Sequence, residues 1–221
     1  MYKFLWLMGP AIICMLDRPA AADEFFRYNY MQLSSEKTTQ HAEGFSPKIA
    51  ESAYGLSGSY ALKEVVAIEA QYTKFKTSFN GSYLGSPAYF NAKGNDLAIG
   101  ATLHKMINER AELGLKLARI HSNVDAYTET VAGIPKTIPA FSSNANSLEL
   151  RGRMALFIPA FRVRAAIGRA TGGNSNATTH YSMGAEYEVL YNISLDIGYH
   201  LSTSSPGHAR GISFNALYYF Y

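Results

Sequence analysis

Apolar and polar residues alternate with a period of two along most of the chain from residue 26 onward. Tyr54, Leu56, Gly58, Tyr60 and Leu62 share one parity, set against Gly55, Ser57, Ser59 and Ala61. Val66, Ile68, Ala70 and Tyr72 then alternate with Ala67, Glu69, Gln71 and Thr73. The pattern recurs over 97–103, 111–117, 148–156, 161–167, 181–189, 193–201 and 212–220, with a less regular opening copy at Phe26, Tyr28 and Tyr30. Such alternation marks strands, because successive side chains of a strand point to opposite faces. It predicts ten strands of about 9 to 12 residues, the length that crosses a hydrocarbon layer when tilted.

Tight turns are expected around Lys63-Glu64, Met106-Ile107-Asn108, Ile158-Pro159 and Tyr191-Asn192. The intervening connections are polar and longer over 34–52, 77–94 and 122–146, and shorter over 171–179 and 203–209. The apolar parity carries almost no charge. The opposite parity carries Arg27, Glu69, Glu112, Lys116, Glu149, Arg151, Arg153, Arg162, Arg164, Glu186, Glu188 and Asp196. A soluble sandwich or lipocalin-like barrel buries its apolar face and wets the charged one, and parity alone fits that arrangement equally well. Short turns alternating with long loops, and a last segment of aromatics without a polar tail, favour lipid outside and charges inside. The predicted fold is all-β: an antiparallel up-and-down transmembrane β-barrel of about ten strands.

The N-terminus adds a compartment. Met1-Tyr2-Lys3 is a short positive start, an apolar run follows from Phe4 to Leu16, and Ala20-Ala21-Ala22 precedes Asp23. That order is the layout of a cleavable secretory signal, giving a signal peptide over 1–22 and a barrel domain over 23–221. The lone cysteine, Cys14, falls inside the signal, so the mature domain has neither disulfides nor thiol chemistry. Twenty Lys and Arg against 17 Asp and Glu give a net charge of +3, too mild to imply nucleic acid. Sixteen tyrosines suit the aromatic girdles of a membrane barrel.

Taken together, the signal peptide, the unit Leu56-Ser57-Gly58-Ser59-Tyr60-Ala61-Leu62 and the ending Ala216-Leu217-Tyr218-Tyr219-Phe220-Tyr221 resemble the small bacterial outer-membrane β-barrel superfamily. OmpA-like, Opa-like and Ail-like proteins belong to it. The resemblance spans the mature chain, and eight strands, common among such proteins, are the alternative to ten. It implies an integral outer-membrane protein with both termini in the periplasm. It also implies a closing strand read by the barrel assembly machinery.

The inward charges number six basic and six acidic. They are expected to form an ion-pair network that meets across the axis and fills the lumen. A selective pore more often shows an excess of one sign, so a narrow channel for solutes or ions is the alternative. Enzymatic roles find little support. Omptin-like proteases use paired aspartates with an Asp/His pair, and the chain has no Asp-x-Asp or Asp-x-His. His200-Leu201-Ser202 matches the His-x-Ser of lipid A deacylases, but both side chains fall on the lumen parity and no glutamate follows. His41, His104, His121, His180 and His208 are scattered without metal-ligand spacing, so neither a metal nor another cofactor is expected. Gly172-Gly173-Asn174 reads as turn chemistry rather than a phosphate loop.

On the lipid parity, Lys74, Arg119 and Arg169 lie near the far ends of their strands. There they can meet lipopolysaccharide phosphates or simply snorkel. The expected activity is non-enzymatic and resides in the extracellular loops, through surface contact, adhesion or envelope integrity, toward an extracellular ligand or host surface. Loop 122–146, with its Ile134-Pro135 and Ile138-Pro139-Ala140-Phe141, either presents a contact surface or folds into the barrel mouth.

Overall fold

The computed structural model describes residues 27–63, 65–172, 177–204 and 207–220. The signal segment 1–22, Phe26, Glu64, Gly173, Asn174 and Tyr221 lie outside the described residues. Thirteen strands are present: β1 (Tyr30–Ala42), β2 (Phe45–Ser46), β3 (Ile49–Lys63), β4 (Val66–Tyr83), β5 (Ser86–Asn108), β6 (Ala111–Val124), β7 (Tyr127–Val131), β8 (Ile134–Ile138), β9 (Phe141–Ala155), β10 (Phe161–Gly172), β11 (Thr178–Leu190), β12 (Ile193–Ser204) and β13 (Gly207–Tyr219). Ten of them close an antiparallel barrel in the order β1, β3, β4, β5, β6, β9, β10, β11, β12, β13. Tyr30 to Ala42 pairs residue by residue with Tyr219 to Gly207, so the ring has no open edge.

The outside of this ring is apolar. Leu33, Ile99, Leu117, Met183 and Phe214 are among its exposed side chains. Tyr60, Phe161, Tyr187 and Tyr218 lie toward the end with the short turns. Tyr54, Tyr72, Tyr181 and Tyr199 lie toward the other end, with mainly aliphatic residues between the two sets. Two aromatic girdles around an apolar band mark where lipid begins and ends. No helix among the described residues is long and apolar enough to cross a membrane, so the strands are the crossing elements.

The tight turns fall at the four expected places: between β3 and β4, β5 and β6, β9 and β10, and β11 and β12. At the other end the expectation of long polar loops is corrected. Residues 77–94 are not a loop but the upper half of the β4–β5 ladder, paired without interruption from Thr77↔Ala92 to Tyr83↔Ser86. β4 runs 18 residues and β5 runs 23, well past the span expected from the alternation. Beyond the lipid both faces of a strand meet water or polar neighbours, so the period-two signal fades although the ladder continues.

Residues 34–52 likewise contain most of β1 and the start of β3. Residues 122–146 contain the β7–β8 hairpin, whose β7 pairs with β5 at Ala88, Tyr89 and Phe90. A small core holds this platform together: Ile49, Phe79 and Ala88, with Phe45, Tyr83, Phe90 and Val131 packed against them. β8 therefore stands exposed at the platform's edge instead of folding into the barrel mouth.

The opening segment is corrected too. Tyr28 precedes β1, and Tyr30 faces the lumen, whereas Met31 and Leu33 take the outward parity.

The platform's two hairpins close with two-residue turns in the left-handed region, Leu84-Gly85 (φ 49° and 84°) and Ala132-Gly133 (φ 51° and 80°). These are the signs that a type I′ turn requires, and Asn-Gly suits it best. Leucine and alanine there carry a steric cost of about 1 kcal/mol each. Replacing Leu84→Asn together with Ala132→Asn is expected to raise the urea midpoint of the platform. Tyrosine fluorescence of the refolded protein in lipid vesicles would report it, with the barrel transition unchanged.

Candidate functional site

Two of the inward arginines, Arg151 and Arg164, lie against glycines on nearby strands of the same face. Gly114 leaves room for the stem of Arg151, and Gly184 and Gly198 leave room for the guanidinium of Arg164; a Cβ at any of the three would stand within 3.1 Å of that arginine. The lumen can therefore hold long side chains lying along its wall.

Toward the short-turn end, Arg162 is only 2% exposed and bonds Glu186 at 2.7 Å and Glu188 at 2.8 Å. The Tyr219 hydroxyl donates to the same Glu186 oxygen at 2.7 Å, and Arg27 reaches Glu188 at 3.3 Å. Arg153 bonds Glu112 at 2.7 Å; Tyr28 donates to the other Glu112 oxygen and stacks on His104 with ring centroids 3.8 Å apart. The segment over residues 27–29 is thus tied to the wall at this end. Arg27 donates to the Tyr191 carbonyl, and Asn29 accepts from the Ala61 amide at 2.8 Å.

Midway, Arg164 grips Asp196 with two parallel bonds of 2.8 and 2.6 Å, and Asn215 donates to the same carboxylate. Glu69 receives Arg151 at 2.8 Å, Lys116 at 2.7 Å and the Thr102 hydroxyl at 2.7 Å. Arg151 also holds Glu149 at 2.8 Å.

All twelve sequence-predicted lumen residues make ion pairs, but mostly along the wall rather than across the axis as expected. Glu186 and Glu188 of β11 take Arg162 of the adjacent β10, and Arg27 also reaches Glu188. Most pairs join strands one or two apart along the wall. Arg151 on β9 reaches furthest, to Glu69 on β4. A cavity of about 280 Å³ remains between them, lined by Tyr30, Gln32, Glu69, Lys116, Arg151 and Arg164 among others.

Nearer the long hairpins the lumen contains charges that the sequence reading omitted. Glu36 bonds His200 at 3.0 Å and accepts from Thr38 at 2.8 Å. Glu51 accepts from Thr77 at 2.8 Å, and Asp96 lies on the same inward parity of β5. His180 meets Glu149 at 2.9 Å. Glu36 and Glu51 escaped notice because their segment read as loop. Asp96 escaped because it precedes the first clearly alternating residue of its strand. With these three the near balance of inward charge becomes an acidic excess at the long-hairpin mouth.

The polar partners of His200 are Glu36 and Thr38 rather than Ser202. His41 and His208, far apart in sequence, meet across β1 and β13 with ring centroids 5.1 Å apart. Among the described residues, no group of three or more His, Cys, Asp or Glu is arranged to hold a metal. Lys74, Arg119 and Arg169 point outward and are exposed, but they do not form one cluster. Lys74 is opposite Tyr54 on β3; Arg119 and Arg169 flank β9, opposite Asn146 and Leu148.

Solved structures decide the architecture. The translocator domain of the autotransporter NalP from Neisseria meningitidis superposes with a TM-score of 0.55 at 11% identity, over 97% of this chain and 95% of that one. The fold is that of a bacterial outer-membrane β-barrel. Ail of Yersinia pestis (TM-score 0.45, 12% identity, 88% and 100% covered) is also similar. So is the outer membrane protease OmpT of Escherichia coli (0.47, 10%, 90% and 100%). No family model matches the chain, and no curated protein matches it.

The Arg162 cluster gives a direct test of the lumen's energetics. Arg162→Ala leaves Glu186 and Glu188 in a closed, low-dielectric space and is expected to destabilise the barrel by about 3 to 5 kcal/mol. Arg162→Ala combined with Glu186→Ala should cost clearly less than the two single changes summed. Urea unfolding in vesicles, followed by the mobility shift of folded barrels, measures both.

Proposed function

We propose that this protein is a non-enzymatic outer-membrane barrel, closed to free diffusion by its ion-paired lumen and acting through the β platform beyond the lipid. The observation that carries the reading is the double closure of the short-turn end. Arg162, Glu186, Glu188 and Tyr219 fill one side of it, and Tyr28 with Arg153, Glu112 and His104 fills the other. In this reading the short turns and both termini are periplasmic, the long hairpins are extracellular, and β13 is the strand read by the assembly machinery.

The platform is suited to surface contact because its tips expose apolar side chains, Leu84, Tyr89 and Ile134, on a framework of ladders and a small core. Its open edge discourages strand addition. Val131 and Ile134 close the β7–β8 turn, so the nitrogen of Pro135 faces outward with no N–H to offer. Recognition through this hairpin therefore runs through side chains. His200 and Ser202 do no lipid chemistry in this reading, because His200 is engaged inside the barrel by Glu36 and Thr38.

A second reading, a narrow channel, is favoured by one feature: the acidic mouth formed by Glu36, Glu51 and Asp96, which would draw cations toward the lumen.

Planar-bilayer recording separates the two. The native protein is expected to be silent, and Arg151→Ala and Arg162→Ala to open discrete current steps. Steady, cation-selective current from the native protein would replace the closed-barrel reading with the channel.

A further inference from the structure

Charge sign is sorted by face around the barrel. Among the described residues, every Asp and Glu on a barrel strand faces the lumen. The outward charges near the long-hairpin end are all cations: Lys37, Lys74, Lys76, Lys93, Arg119, Arg169 and Arg210. None of the seven makes an ion pair among the described residues, whereas each inward Arg and Lys of the lumen network does.

Four of these cations converge. Lys37 is opposite Ser52, Ser52 opposite Lys76, and Lys76 opposite Lys93, making one transverse row over β1, β3, β4 and β5. Neighbouring positions in such a row are about 5 Å apart, within reach of lysine side chains. Like charges directly opposite repel, so Lys76 facing Lys93 is unfavourable until an anion lies between them. Arg210, opposite Thr39 on β1, extends the basic surface over β13.

Beside the row the surface turns apolar. A groove of about 620 Å³ is bordered by Lys37, Lys76 and Arg210 together with Tyr199, Ile212 and Phe214. Lys37 shares its register with Ile212 and Tyr199, so the row of cations adjoins the upper aromatic girdle. Cations bordering an apolar groove, at the height where lipid headgroups begin, match a molecule with phosphate at one end and acyl chains at the other.

We propose that this groove binds a phosphorylated glycolipid of the outer leaflet, lipopolysaccharide. Its phosphate is held by Lys37, Lys76 and Arg210, with Lys93 beside them, and an acyl chain lies on Ile212 and Phe214. The inference rests on the orientation given above, with the long hairpins outside the cell. It names a site distinct from Arg119 and Arg169.

The test uses the full chain purified from outer membranes and placed in phosphatidylcholine nanodiscs, titrated with lipopolysaccharide. The triple variant Lys37→Gln/Lys76→Gln/Arg210→Gln is expected to bind at least about tenfold more weakly while keeping its folded mobility shift, in line with the loss of three charge-assisted contacts. Lys105→Gln/Lys136→Gln should bind like the native protein, and phosphatase-treated lipopolysaccharide should bind the native protein as weakly as the triple variant binds the intact lipid. Undiminished binding by the triple variant overturns the site, as does equal binding of the dephosphorylated lipid. Equal competition by phosphatidylglycerol overturns the glycolipid assignment, and displacement by inorganic phosphate would make it a free-anion site. Labelling of Gly133→Cys on intact cells by a membrane-impermeant maleimide tests the orientation separately. Absence of label there overturns the orientation, and the inference with it, even if the purified protein binds the lipid.

Discussion

A backbone amide that crosses hydrocarbon finds no water to bond, so every N–H and C=O in the crossing segments must be satisfied within the protein. The uninterrupted ladder from β1 round to β13 meets that constraint, and much else in the structure is a consequence of it. Closure forces alternate residues into a narrow interior, where bulky apolar groups are not required and polar ones must find each other. It also forces the other residues outward, where aliphatic side chains and two aromatic girdles are the low-energy choice. Small inward residues such as Gly184 and Gly198 then decide which long side chains can lie flat against the wall.

Much of this was legible in the chain because period two is a direct readout of facing. The ten barrel strands, the four tight turns and the inward side of Arg162, Arg164, Glu186 and Asp196 all follow from parity. Partnership between strands distant in the sequence was not legible. Arg151 meets Glu69 because β9 and β4 are brought round the ring with a particular stagger, and nothing in a single sequence states that stagger. The lengths of β4 and β5 were hidden for a different reason. Above the girdle Thr77, Ser78 and Asn80 on one side, and Asn91 and Lys93 on the other, are polar whichever way they face, so ladder and loop look alike.

Parity also misled at one end. Phe26, Tyr28 and Tyr30 look like an outward aromatic row, yet Tyr28 leaves the strand to stack on His104, and Tyr30 turns to the lumen. An aromatic with a hydroxyl serves either face, as an apolar surface in lipid or as a donor to a buried carboxylate. Tyr28 and Tyr219 take the second role, with Glu112 and Glu186 as acceptors. The neighbouring cations, Arg153 and Arg162, complete both clusters, so the short-turn end is built jointly by wall residues and by the segment that precedes β1.

Buried ion pairs are weak evidence for stability, since desolvation offsets much of their attraction. Their value here lies in register. If β10 slipped by one residue against β9 and β11, Arg162 and Arg164 would face lipid and Val163 and Ala165 would face Glu186 and Asp196. An arginine near the bilayer midplane costs about 2 to 4 kcal/mol, and the abandoned carboxylates would add their own penalty. An all-polar but uncharged lumen would impose a much smaller cost for the same slip, because Ser or Thr is tolerated on either face. Sorting carboxylates inward and leaving only cations on the outer wall near the long hairpins therefore does two things at once. It selects one closure of the barrel over its shifted alternatives, and it makes the outward surface near the long hairpins basic.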